Sequence, residues 1–180
     1  MVSAMRCNPL ARWARDCSGT AAVEFALIVG LLSYGLLNCT DMARYFFMRS
    51  AVENASQMAA QVGWKTCDTA NLPATINCTG FSAAVTNSLQ SSPLGAKVSL
   101  VSGSPSEAYY CVNAAGALVQ VAAINAAKPA DCSSVGNAAG TPGDYIKIST
   151  TYTFAPIFPG TVVANLLPRT MTSMTMMRLS

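Results

Sequence analysis

Between residues 20 and 40 the only charged side chain is Glu24, in the run Thr20-Ala21-Ala22-Val23-Glu24-Phe25-Ala26-Leu27-Ile28-Val29, which stays apolar to about Leu37. A carboxylate at the centre of a membrane-depth helix costs roughly 2.5–3.5 kcal/mol on insertion scales, and less towards an end. Pairing with an ammonium through a charge-assisted hydrogen bond offsets that desolvation. Gly19 precedes Glu24 with four residues between them. The only polar-aromatic concentrations resembling a catalytic site are Asp144-Tyr145 and the pair Tyr109-Tyr110, and histidine is absent. The commonest general base and the commonest nitrogen ligand for metals are therefore missing. Histidine-dependent hydrolysis and histidine-containing zinc sites are excluded, and no catalytic residue and no cofactor is expected.

The elements that must position Glu24 follow from the patterning. Residues 1–19 are polar and basic, with Arg6, Arg12 and Arg15 against Asp16, and carry +2 of the overall +3. Residues 20–40 form the apolar segment, whose core from Ala21 to Asn38 would be about 27 Å long as a helix, just spanning a hydrocarbon layer. A cleaved secretory signal would be shorter and followed by a small-x-small site; Asn38-Cys39-Thr40-Asp41-Met42 offers none. Arginines on the N-terminal side predict a cytoplasmic N-terminus and an exported C-terminal part. No basic stripe suggests nucleic acid as a partner.

Residues 41–64 contain no proline, and their only glycine is Gly63. Ala51, Ala55, Met58, Ala59 and Val62 recur at helical spacing, so the helix is expected to continue to about Val62 as an amphipathic extension. That stripe would pack on the protein's own sheet or meet a partner. Residues 65–180 then read as a head. A short helix is expected over residues 81–89 and strands over 97–102, 108–113, 117–123, 144–154 and 170–179. Ala114-Ala115-Gly116 would make a hairpin connection. In residues 144–154, Ile146, Ile148, Tyr152 and Phe154 alternate with Lys147, Ser149, Thr151 and Thr153, the signature of a half-buried strand. Two helices beside an antiparallel sheet of about four strands define an α+β fold with a long N-terminal membrane-spanning helix.

Of seven cysteines, Cys7 and Cys17 lie in the leader, Cys39 at the end of the apolar segment, and Cys67, Cys78, Cys111 and Cys132 in the head. Four cysteines in an exported domain suggest disulfides, with three connectivities open. Cys67–Cys78 and Cys111–Cys132 are favoured because each closes a local, turn-rich loop. Each closure is worth about 3 kcal/mol in the chain-entropy model. The separations of 11, 33 and 21 positions do not match the paired C-x2–4-C spacing of a zinc site, so no metal is expected. Cys39 has no evident partner within the chain.

The run Gly19 to Leu27 resembles the processing site of type IV prepilins. With Asp41-Met42-Ala43-Arg44-Tyr45-Phe46, the helix ending near Trp64, and the distal Ile148-to-Pro156 and Met176-Met177-Arg178 segments, it resembles the TadE-like family of tight-adherence (Flp-type) pilus assembly proteins, regarded as minor pilins or pseudopilins. The resemblance implies a pilin-like head and cleavage by a prepilin peptidase between Gly19 and Thr20, which makes Glu24 the fifth mature residue. It implies other pilin or pseudopilin subunits and the inner-membrane assembly platform as partners. The location implied is the bacterial inner membrane with a periplasmic head, extending to incorporation into the extracellular pilus. Cleavage would free a Thr20 α-amine one helical turn from Glu24, and the carboxylate of one subunit would accept a bond from that amine on a neighbour. The alternative is a single-pass, membrane-tethered periplasmic binding module that is not processed, in which Glu24 merely reaches towards the headgroups.

Overall fold

The computed structural model describes residues 18–180. The leader assigned to residues 1–19, with Cys7 and Cys17, lies outside the described residues except for Ser18 and Gly19, whose backbone opens the first helix. That helix, α1, runs unbroken over Ser18–Thr66, 49 residues, about 74 Å at 1.5 Å per residue. It holds an 18-residue window of mean hydropathy 1.8, none of it buried. Along residues 20–36 every side chain is exposed, so this half stands clear of the head.

From Asn38 onward α1 becomes the spine of the head. Its buried side chains are Asp41, Tyr45, Val52, Ala55, Ser56, Ala59 and Ala60, and small residues at 55, 56, 59 and 60 let the sheet approach closely. The apolar stripe expected from sequence is therefore displaced. Ala55 and Ala59 are buried, Ala51 and Val62 are half-buried, and Met58 is 38% exposed. Two polar residues, Asp41 and Ser56, take core positions instead. The helix also runs past the expected end, because Gly63 serves close packing within it. A Cβ there would lie 3.2 Å from Cζ of Phe81.

Beyond α1 come two short helices, α2 (Ala74–Asn77) and α3 (Phe81–Gln90), and strands β1 (Val98–Leu100), β2 (Ser106–Val112), β3 (Leu118–Ala123) and β4 (Gly143–Thr153). A one-turn helix α4 (Val162–Leu166) and strand β5 (Thr170–Arg178) complete the described chain. The fold is α+β, as expected, with five antiparallel strands where about four were anticipated.

β4 organises the sheet. One edge pairs with β5 along its length, from Tyr145 opposite Arg178 to Thr153 opposite Thr170. The other edge is shared: its first half pairs with β2 and its last with β1. An 11-residue strand exceeds what β2 covers, which leaves room for the three-residue β1. β3 closes a hairpin on β2, with a register irregularity between Tyr109 and Tyr110. Ile146, Ile148, Thr150, Tyr152 and Phe154 form the buried face of the β4 segment, and α1 and α3 cover that side with Val52, Phe81, Val85 and Leu89.

Candidate functional site

Glu24 sits in the first third of α1, exposed, on a continuous helix that holds Thr20 one turn earlier on the same side. No hydrogen bond or ion pair to Glu24 occurs among the described residues. The helix therefore presents the carboxylate outward with no partner from the head. Gly19 and Thr20 lie in the same first turns, so the predicted cleavage position and the acid share one rigid element.

The second arrangement lies where α1 leaves the apolar segment. The Asp41 carboxylate is completely buried. Its Oδ1 accepts the backbone N–H of Ile157 at 2.9 Å and its Oδ2 that of Phe158 at 3.0 Å. One turn earlier, Asn38 Oδ1 accepts the N–H of Val163 at 3.2 Å. Arg44 Nη1 donates to the Ala155 carbonyl at 2.7 Å, with its guanidinium 5.5 Å from the Phe154 ring centroid. Tyr45 meets Phe154 edge-on at 5.3 Å. Three successive polar side chains at helical spacing thus clasp residues 155–163 to the helix. A buried carboxylate is tolerable here because two backbone donors stand where water would.

Further along, Ser56 Oγ lies 3.0 Å from Ser173 Oγ and 2.7 Å from Thr175 Oγ1, a hydroxyl cluster joining α1 to β5. Sequence reading counted only apolar residues on this face. The signal for Asp41 and Ser56 was present, since both fall on the helical repeat that includes Tyr45, Val52 and Ala59.

The acid–tyrosine concentration resolves into two faces. Glu107, Tyr109, Asp144 and Ile146 share one side of the β2–β4 pair, whereas Tyr110 and Tyr145 lie on the other, with rings 5.7 Å apart. Buried Glu107 accepts the N–H of Ala74 at 2.9 Å, and from Thr75 the N–H at 2.7 Å and the hydroxyl at 2.6 Å. It is spent on anchoring α2. Asp144 is 3% exposed, and its Oδ1 has no hydrogen-bond partner. Burial, and then the negative charge of Glu107, push its carboxyl up to about 7, against a smaller opposing pull from Lys128. The described residues include no cluster of three or more metal-ligating side chains.

Cys67 is joined to Cys78, with Cα atoms 5.8 Å apart, and Cys111 to Cys132 at 5.7 Å. The first staples the end of α1 to α2; the second ties β2 to the loop before β4. Cys39 is free and exposed.

Residues 19–61 match the family model described as TadE-like protein. The match spans both the outward Glu24 and the Asp41–Arg44 clasp, and ends five residues before the end of α1. Comparison with curated proteins and with solved structures yields no match. Similarity to that family thus rests on residues 19–61, and the remainder of the chain is described by its fold alone.

Proposed function

We propose that this chain is a membrane-anchored component of a tight-adherence pilus, a minor pilin or pseudopilin processed between Gly19 and Thr20. The observation that carries the reading is Glu24: the only charge on the exposed apolar half of α1, one turn from the position where cleavage would create an α-amine. In the assembled state the carboxylate accepts a hydrogen bond from the Thr20 ammonium of an adjacent subunit. The two charges neutralise each other in lipid or in a filament core, and the pairing sets the axial register of neighbouring helices. The arginines of residues 1–19 keep the N-terminus cytoplasmic. Two disulfides in the head suit an oxidising compartment on the far side, and the partners follow: a prepilin peptidase, other pilin-type subunits and the assembly platform in the inner membrane.

The chain's role on this reading is structural rather than catalytic. Mass spectrometry of the mature N-terminus tests processing: the expected chain begins at Thr20, and one retaining Met1 refutes it. Glu24→Ala is expected to leave cleavage intact while abolishing incorporation or piliation. Normal pili in that variant would remove the role assigned to the carboxylate.

A further inference from the structure

The described chain carries no charge from Ile148 to Pro168. Within that interval Ile157, Val162 and Leu166 are 51%, 59% and 75% exposed. Exposed apolar side chains gathered in one uncharged connection mark a surface for a protein, ligand or membrane neighbour. Its position identifies that neighbour. Val163 is bonded to Asn38, and Ile157 and Phe158 to Asp41, which places α4 and the preceding loop beside the first helical turn after the apolar run. Eighteen residues separate Thr20 from Asn38, a rise of about 27 Å, close to the thickness of the hydrocarbon layer. A segment clasped at Asn38–Asp41 is therefore held at headgroup level whenever residues 20–37 span a bilayer. Met42 and Phe46 are also exposed on α1, one and two turns beyond Asn38. Apart from the buried Asp41 carboxylate, which its two backbone donors engage, the charges flanking the segment are cationic: Arg44, bonded to Ala155, and Arg169, next to Pro168. Apolar side chains at the acyl boundary with cations beside them make up the surface of an interfacial element that meets anionic lipid.

We infer that residues 156–167 are a membrane-interface foot, through which the head rests on the outer surface of the same bilayer that α1 crosses. The inference rests on the membrane reading of residues 20–37. Its occupant is lipid, because the bonds to Asn38 and Asp41 hold this surface at the end of the apolar run, where α1 would leave the bilayer. The foot fixes the tilt of the head, and Asp41 and Asn38 are the positioning residues that hold it at the right height.

Tryptophan quenching by brominated lipid tests this in the full chain, with Trp13 and Trp64 replaced by Phe and the protein reconstituted in phosphatidylcholine–phosphatidylglycerol vesicles. Leu166→Trp and Val162→Trp change exposed positions that carry no core packing. Both are expected to emit at shorter wavelength than in water, and to lose most of their emission when bromines sit near the headgroup end of the acyl chains. Leu31→Trp reports on the span and is expected to be quenched by deep bromines. Quenching of Leu31→Trp with water-like, unquenched emission from the two foot variants would overturn the foot and leave the span standing. Short-wavelength but unquenched foot emission would mean that another protein copy covers the surface, which also overturns the lipid assignment. An unquenched Leu31→Trp would remove the membrane reading and the foot together.

Discussion

The Asp41 carboxylate accepts the N–H of Ile157 at 2.9 Å across 116 positions of chain. Through that bond the first helix and the β4–β5 connection become one rigid unit just past the end of the apolar half of α1. Forces applied to the helix in a membrane or a filament pass directly into the head, because the clasp fixes residues 155–163 to the helix turn rather than leaving them as a loop.

Asp41→Asn offers one acceptor oxygen where two donors wait and turns an amide N–H2 towards one of them. Leaving a buried donor unsatisfied costs about 1–3 kcal/mol, so denaturant unfolding of the full chain in detergent should shift by about that amount. Amide exchange separates this local loss from a general one. Ile157 and Phe158 should lose protection while the β4–β5 ladder keeps it, and unchanged protection at those two amides would disprove the clasp.

Gly63 sits against the Phe81 ring, where an added Cβ would stand 3.2 Å from Cζ. Gly63→Ala gains roughly 1 kcal/mol of helix propensity and gives some of it back to the crowded ring, so a near-neutral melt is expected. Gly63→Val adds two branches in the same place, and overpacking of about 1–3 kcal/mol follows. A valine variant as stable as the parent would show that α1 and α3 are not closely packed.

Burial, and then the charge of Glu107, push the Asp144 carboxyl up to about 7 in the folded chain from its ordinary 3.8. Between those values the folded form holds a proton that the unfolded form has released. This group's contribution to stability is therefore full below about pH 4 and is lost as pH rises through 7. Unfolding curves between pH 5 and pH 8 should show the parent weakening relative to Asp144→Asn, whose amide cannot ionise beside Glu107. Parallel curves for the two proteins across that range would remove Glu107–Asp144 repulsion as a factor.

The disulfides close loops of 11 and 21 positions, and in the chain-entropy model each contributes about 3 kcal/mol. Replacing both cysteines of either pair by serine should cost roughly that much in a denaturant titration, whereas Cys39→Ser, at an exposed and unpaired position, should cost nothing measurable. Equal melts for all three variants would show that the bridges do not constrain the unfolded chain.

The sequence by itself determined the elements with strong local patterns. The apolar run around Glu24 marks the protruding helix, the alternation over Ile146–Phe154 marks the central strand, and the Ala114-Ala115-Gly116 connection marks the hairpin. Each is a property of neighbouring residues, because a helix or strand face repeats every 3.6 or 2 positions. Tertiary structure decided what neighbours cannot encode. β4 shares one edge between β1 and β2. Ser56 meets Ser173 and Thr175 rather than water, and Met58 turns outward where the apolar pattern had placed it inside. Asp144 and Tyr145, adjacent in the chain, face opposite sides of the sheet because strand side chains alternate. Asp41 reads locally as a charge at the end of a span, and only folding supplies the two distant N–H groups that make its burial stable, since the partner of a buried polar atom is chosen by packing rather than by sequence distance.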